Sequence, residues 1–283
     1  CEHSFPTRRS SDLTPSTDAD SWTNVTPTIL SKVGRNLHLL PSHPLGILAA
    51  KIQAHFTTFT HLSTLSPLVT VQANFDDLGF PASHPGRSRT DSYYLNHTHM
   101  LRTHTSAHEV ESFRKGLERF LLTADVYRRD EIDRSHYPVF HQMEGCNIAS
   151  RAEGGIERLR AENERMAAEL DRANIIIDDP TRGISATNPI QKEHSEEEAM
   201  VLAEHLKHSL NGLVWALFGG LGSGEEPLRV RWIEATFPWT SPSYEVEVLF
   251  QGKWLEILGC GVVRQDTLNR SGASPFPPLS RTS

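Results

Sequence analysis

Cysteine is scarce in this chain: three residues in 283, Cys1, Cys146 and Cys260, with no Cys-x-x-Cys pair among them. That excludes a disulfide framework and dithiol or zinc-ribbon chemistry, and it fits a reducing compartment. Positive charge is also short, with 28 Lys and Arg against 35 Asp and Glu and a net charge of −7. Bulk electrostatic binding to nucleic acid or to an anionic membrane is therefore excluded, and any such contact has to be local. No apolar run approaches the roughly 18 residues of a spanning helix, so a soluble protein without membrane contact is expected. What remains is ordinary globular material, 37% hydrophobic and 22% charged. It is enough for one large domain or two small ones.

The two ends stand apart from the rest. Residues 1–13 begin without Met and carry neither helical nor strand periodicity; they read as a non-native, adapter-derived segment to be kept out of fold reasoning. A targeting peptide that once preceded Thr14 is then out of view. Residues 271–283 place three prolines in a Ser-rich run, a composition that does not continue a sheet, and they are expected to be a disordered tail.

Between the ends the pattern mixes helices and strands. Leu45, Ile47, Leu48, Ile52 and Phe56 fall at helical spacing behind Pro44, predicting a helix over 43–56. A short strand over 68–74 and a Gly/Pro/Ser-rich loop follow. Ser106 to Glu109 matches a capping box ahead of a helix using Val110, Phe113, Leu117 and Leu121. Strands are predicted over 124–130 and 139–144. Side chains alternate across a strand, so Val126, Arg128 and Asp130 share one face and Phe140, Gln142 and Glu144 share a face of the partner. Burying such charges is costly unless something pairs them, so a ligand-binding face competes here with a solvated one.

Residues 151–173 form a charged helix whose apolar positions alternate by three and four, a short hairpin arm rather than a dimerising coiled coil. A loop over 178–195 and a helix over 196–218 come next. Gly219 to Gly224 reads as a helix cap and linker, because a phosphate loop needs a preceding strand and a following Lys-Ser/Thr. Strands over 228–235, 244–250 and 254–263, the last two joined by a Gln251-Gly252 turn, complete the pattern. The fold class is α+β, helices packed on a mostly antiparallel sheet. His104 and His108 stand four apart as a metal pair would, but no third ligand is apparent and Ser106 as N-cap accounts for the stretch. Phe237 and Trp239 read either as core or as a ligand surface.

Taken together, Arg102-Thr-His-Thr-Ser-Ala-His108, Val126-Tyr-Arg-Arg-Asp130, His136-Tyr-Pro-Val-Phe-His-Gln-Met-Glu-Gly145, Phe237-Pro-Trp-Thr240 and Trp254-Leu-Glu-Ile-Leu-Gly-Cys-Gly261 resemble the catalytic module of phenylalanine–tRNA ligases. The single-chain mitochondrial type is most similar, and it also shows a run like Gly34 to His38. The resemblance implies the class II synthetase core and an ATP- and Mg²⁺-dependent activation of L-phenylalanine, followed by transfer to tRNA(Phe) in the mitochondrial matrix by a monomer.

The resemblance also implies roles. Arg128 would meet the α-phosphate and the amino-acid carboxylate, Asp130 the adenine amino group, and His136 the outer phosphates. Gln142 and Glu144 would hold the ammonium, with His104 and Ser106 completing the polar end. Phe237 and Trp239 would pack on the substrate ring, Trp239 standing where many relatives have Phe. The backbone of Gly259, Cys260 and Gly261 would form the pocket wall, and Glu256 is the candidate Mg²⁺ ligand. The resemblance takes 14–270 as the catalytic domain, with 151–195 as a helical insertion. The third class II motif and the anticodon-binding domain are missing from it, so the chain is expected to be inactive or nearly so on its own. The rival expectations are a non-catalytic paralogue serving as an amino-acid sensor or interaction module, and a biotin or lipoate type of ligase.

Overall fold

The computed structural model describes residues 19–134, 136–181, 185–220, 226–272 and 280–282. The segment 1–13 lies outside them. Two units are distinguished, one of Cys1–Gln53, Phe59–Ser112 and Leu121–Glu144, the other of Ala54–Thr58, Phe113–Phe120 and Gly145–Ser283.

In the first unit, Thr26 caps a single turn, α1 (Pro27–Leu30), and α2 (Pro44–His55) begins at proline as predicted. Proline suits that position because its missing N–H would be unpaired there anyway. Next come β1 (Thr60–Leu62) and β2 (Leu68–Thr70), the latter antiparallel to β3 (His99–Leu101). α3 (Glu109–Arg114) precedes β4 (Arg119–Tyr127), and β5 (Val139–Ala149) lies beside β4, with β1 on β4's other side. The Arg128 N–H reaches the Pro138 carbonyl at 3.0 Å where the β4–β5 pairing opens. Two apolar clusters hold this unit, one of Val69, Phe75, Tyr94, Met100 and Ala107, the other of Ile29, Tyr93, Leu101 and Tyr127. Full burial of such side chains stabilises by about 1.5–3 kcal/mol each.

Two local expectations give way here. The strand predicted over 68–74 stops at Thr70, and Gln72–Asp76 forms a π-helical turn. The Thr70 hydroxyl accepts the Ala73 N–H at 3.0 Å, which turns the chain inward and buries Asn74 completely. The helix predicted to run to Leu121 is only six residues long, because Gly116 takes a left-handed φ of 72° and Leu121 belongs to β4. Glycine tolerates that conformation at a helix end without a Cβ penalty.

In the second unit, α4 (Gly155–Leu170) packs on α5 (Glu196–Phe218) through Ile156, Leu159, Val201 and Leu202, with Asn163 Nδ2 donating to the Val201 carbonyl at 3.1 Å. The heptad-like seam thus closes within the chain. Ser195 and Glu198 form a reciprocal capping box at the start of α5. β6 (Ile175–Asp178), a strand absent from the sequence reading, runs parallel to β7 (Leu228–Glu234). Antiparallel pairing then continues through β8 (Thr240–Phe250) and β9 (Lys253–Val263). Gln251 and Gly252 turn between them with φ of 50° and 76°, the left-handed pair a two-residue hairpin needs.

A short helix, α6 (Gln265–Arg270), follows. β10 (Ser280–Thr282) pairs antiparallel with β9 and with Asn147–Ala149, the end of β5 that belongs to this second unit. That is sheet where the Pro-rich composition argued against it; the three prolines fall at 275–278, outside the described residues. Leu206 and Val214 of α5 cover a sheet face formed by Val230, Trp232, Tyr244, Val246, Val248 and Cys260. Among the described residues no helix is long and apolar enough to cross a membrane.

Candidate functional site

The first unit gathers the polar residues. Glu144 on β5 turns its carboxylate toward the turn Thr105–His108, where Ser106 Oγ donates to Oε2 at 2.5 Å and Thr105 Oγ1 donates to the same oxygen at 3.1 Å. The predicted N-cap role of Ser106 is therefore replaced, since its hydroxyl serves a carboxylate and not a helix end. The other oxygen, Oε1, is buried and meets no donor among the described residues. Burial raises the Glu144 pKa, and the bonds from Ser106 and Thr105 oppose that rise. Gln142, two residues back on the same face, accepts the Thr105 N–H at 3.3 Å.

Arg128 follows the end of β4. Its Nε donates to the Thr103 carbonyl at 3.0 Å, the one hydrogen bond its side chain makes among the described residues, and its Cζ lies 5.1 Å from the centre of the Phe140 ring. Strand parity had placed Phe140, Gln142 and Glu144 together, and Phe140 is the member of that face that meets the guanidinium. Burial lowers the Arg128 pKa, with Asp130 opposing. Asp130 itself is exposed. His136 is exposed too, its Nδ1 2.9 Å from Asp133 Oδ2, and that hydrogen bond raises its pKa.

His104 is buried and stacks on Phe80 with ring centres 5.6 Å apart and planes 13° from parallel. Burial, with the Arg128 charge next, drives its pKa down to about 3. It is a neutral imidazole at physiological pH. His108 faces away from a metal role: its Nε2 accepts from Arg102 Nη1 at 3.1 Å. Arg102 is fully buried, paired with Asp125, which also accepts the Tyr127 hydroxyl at 2.7 Å. A separate cavity of about 460 Å³, lined by Trp22, His84, Arg87, Tyr94 and His97 among others, contains none of the predicted residues.

The second unit carries the aromatic residues. Phe237 and Trp239 are half-buried with ring centres 6.1 Å apart and planes at 32°. A Cβ at Gly259 would fall 2.5 Å from Phe237 Cζ, so glycine there makes room for the ring. Gly261 is needed for a different reason, the approach of the Pro242 carbonyl to 2.6 Å from where its Cβ would be. Cys260, between them, sends its side chain into the core with Trp232 and Tyr244, where burial pushes its thiol pKa up. Only its backbone belongs to the face that Gly259 presents.

Glu256 is exposed on β9 opposite Glu247, whose Oε2 accepts from Arg231 Nε at 2.8 Å. Burial and then the charges of Glu256 and Glu247 raise the pKa of nearby Glu245. Such crowded carboxylates suit a divalent cation. Among the described residues no three His, Cys, Asp or Glu converge on one point. The fit is to an ion held by one or two carboxylates together with nucleotide phosphates, as Mg²⁺ usually is.

The family model described as "tRNA synthetases class II core domain (F)" matches residues 29–173 and 190–276. The chain belongs to that family. It is 44% identical to the mitochondrial phenylalanine–tRNA ligase of Saccharomyces cerevisiae over 89% of this chain and 60% of the relative. It is 41% identical to that of Rattus norvegicus over 90% and 52%. A probable mitochondrial phenylalanine–tRNA ligase of Drosophila melanogaster is 39% identical over 89% and 56%. The chain thus spans about half to three-fifths of the length of these relatives.

Within this class II core, sequence reasoning missed Thr105, Asn74 and Phe80. Thr105 joins Gln142 to Glu144 through its N–H and its hydroxyl. Asn74 and Phe80 belong to a segment read as strand and loop, and neither a helical nor a strand period marks them. Only the three-dimensional contact with Thr103 and His104 singles them out.

Proposed function

We propose that this chain carries the site of a mitochondrial phenylalanine–tRNA ligase that activates L-phenylalanine with ATP and passes it to tRNA(Phe). The observation that carries this reading is the Glu144 carboxylate, with Oε2 held by two hydroxyls and Oε1 buried without a donor among the described residues. A buried acceptor left open beside a Gln amide is what an α-ammonium group completes, because leaving it unpaired is costly.

Activation is in-line attack of the amino-acid carboxylate on the α-phosphorus of ATP, forming the mixed anhydride and releasing pyrophosphate. The attacking carboxylate is already ionised, so no general base is needed; positioning and charge neutralisation supply the catalysis. Arg128 has the terminal nitrogens of its guanidinium available for the reacting phosphate and carboxylate oxygens. His136, cationic more readily than an ordinary imidazole, suits the outer phosphates, and Asp130 suits the adenine amino group. His104 and Ser106 complete the polar end. Phe237 and Trp239, above the space kept by Gly259, Cys260 and Gly261, are the aromatic surface offered to the phenyl ring; such ring pairs contribute about 0.5–1.5 kcal/mol beyond area. Mg²⁺ at Glu256 would neutralise phosphate charge. A monomer in the mitochondrial matrix is the proposed setting.

Calorimetric titration with the sulfamoyl analogue of phenylalanyl-adenylate tests the reading without requiring turnover. We expect the phenylalanyl analogue to bind at least tenfold more tightly than the leucyl one, and Glu144→Gln to abolish most of its affinity. Equal binding of the two analogues, or an unaffected Glu144→Gln, overturns it.

A further inference from the structure

The π-helical turn Gln72–Asp76 lies behind the polar site, and nothing in the chemistry above uses it. Its central residue, Asn74, is 0% exposed. The side chain grips Thr103 twice: Asn74 Oδ1 accepts the Thr103 N–H at 3.0 Å, and Asn74 Nδ2 donates to Thr103 Oγ1 at 2.9 Å. A main-chain N–H only donates, so this pair fixes which end of the amide faces Thr103. The Thr103 carbonyl then accepts Arg128 Nε at 3.0 Å, the single hydrogen bond that orients the guanidinium among the described residues.

The neighbouring backbone is already pinned. Arg102 N–H reaches the Pro67 carbonyl at 3.0 Å, and the Arg102 carbonyl accepts the Tyr127 N–H at 2.9 Å. On the other side His104 stacks on Phe80, from the same segment as Asn74. Asn74 adds two further ties to Thr103, at its N–H and at its hydroxyl, and so holds in place the residue whose carbonyl accepts Arg128. Phe75 anchors the turn, buried beneath the Arg87 guanidinium, whose Cζ is 4.8 Å from the ring centre. π-helical turns concentrate at functional sites, which suits a segment that gives up a strand to aim one side chain.

We propose that Asn74 is a positioning residue for Arg128, acting through Thr103. The inference rests on the reading of Arg128 as the phosphate-binding arginine. Asn74 touches no substrate; it fixes the carbonyl from which the guanidinium hangs, and small misplacements of a catalytic group cost up to about 10²-fold.

The test uses the 283-residue chain and two probes. The sulfamoyl analogue of phenylalanyl-adenylate needs the phosphate-binding arginine, whereas phenylalaninol offers the ammonium and ring without an acidic group. Asn74→Ala is expected to weaken the adenylate analogue at least tenfold and to leave phenylalaninol within twofold. In an Arg128→Ala background, Asn74→Ala is expected to cost nothing further, since the arginine it serves is gone. Thr103→Val, which removes only the hydroxyl half of the grip, is expected to give about a threefold loss in the same direction and keeps the test open where Asn74→Ala does not fold. Equal losses for both probes, or an additional loss in the Arg128→Ala background, mean a merely structural role and overturn the proposal. If Arg128→Ala itself binds the adenylate analogue like the unsubstituted chain, the functional reading fails first, and this inference falls with it.

Discussion

Ser106 and Glu144 stand 38 residues apart in sequence and 2.5 Å apart in space, hydroxyl to carboxylate. Burial alone raises Glu144 above its ordinary 4.5, and the Ser106 bond is the larger of the two opposing effects. A carboxyl with a raised pKa keeps its proton in the folded chain where the unfolded chain has lost it. That favours folding at acid pH, and the advantage fades as pH rises through the raised value. An ammonium ligand requires the opposite, ionised form. Phenylalaninol affinity is therefore expected to fall as pH drops through the Glu144 value. Ser106→Ala should move that fall upward by about one pH unit, equivalent to ~1.4 kcal/mol of lost hydrogen bonding to the charged form. Calorimetric titrations over a series of pH values on both chains measure the shift, and an unmoved midpoint would contradict the role given to Ser106.

His104 gives a stability effect of the other sign. Its pKa falls from 6.5 in a free imidazole to about 3 in the folded chain, through burial first and the Arg128 charge second. Below pH 6.5 the unfolded chain binds a proton that the folded chain does not, so stability is lost as pH drops. At pH 5 the loss from this residue is about 2 kcal/mol. His104→Phe keeps an aromatic face for Phe80 and removes the titration. Urea unfolding at pH 7 and pH 5 should show a smaller acid loss in that variant by about this amount; the same loss in both chains would rule the linkage out.

What the sequence makes legible here is what a periodic code carries. Strand parity puts Gln142 and Glu144 on one face, and the β5 strand keeps them there. The hairpin at Gln251-Gly252 and the proline that opens α2 are likewise local, set by backbone sterics within a few residues. Ser106 shows the opposite case. Its Ser-Ala-His-Glu pattern is a sound capping signal, yet the hydroxyl is taken by a carboxylate brought near only by tertiary folding. Asn74 is invisible for the same reason: at the end of the strand predicted over 68–74 it carries no signal until Thr103, just past the end of β3, reaches it in the folded chain. Gly259 and Gly261 look alike in sequence, and only the positions of Phe237 and Pro242 tell their two tasks apart.

Lys207 carries a buried, paired charge in the second unit. Its ammonium lies 2.9 and 3.0 Å from the two Asp179 oxygens and 2.7 Å from Thr181 Oγ1, and it sits 4.4 Å from the centre of the Tyr244 ring. Both members of the ion pair are only 10% exposed. Burial pushes the Asp179 pKa up, and bonds from Thr181 and Lys207 outweigh that and leave it low. Lys207→Met leaves the carboxylate buried without its partner and is expected to cost about 3–5 kcal/mol in urea unfolding at pH 7. Adding Asp179→Asn should recover a large part of that cost. A single substitution costing less than about 1 kcal/mol would mean that the pair is far better solvated than its burial implies.

Gly259→Ala separates specificity from stability. The added Cβ would meet Phe237 Cζ at 2.5 Å, and that atom is the far tip of a side chain able to swing. Gly259 itself is exposed and its φ is not left-handed, so the strand accepts alanine without backbone strain. The substitution therefore moves the ring while sparing the fold. Stability is expected to change by no more than about 0.5 kcal/mol, the range for surface positions. Because Phe237 is half of the aromatic surface offered to a phenyl group, the preference for the phenylalanyl over the leucyl adenylate analogue is expected to fall about tenfold. That corresponds to ~1.4 kcal/mol, the size of one aromatic pair contact. Measuring both analogues on the variant, alongside a urea melt, decides it: an intact preference with an unchanged melt would take Phe237 out of the recognition of the substrate ring.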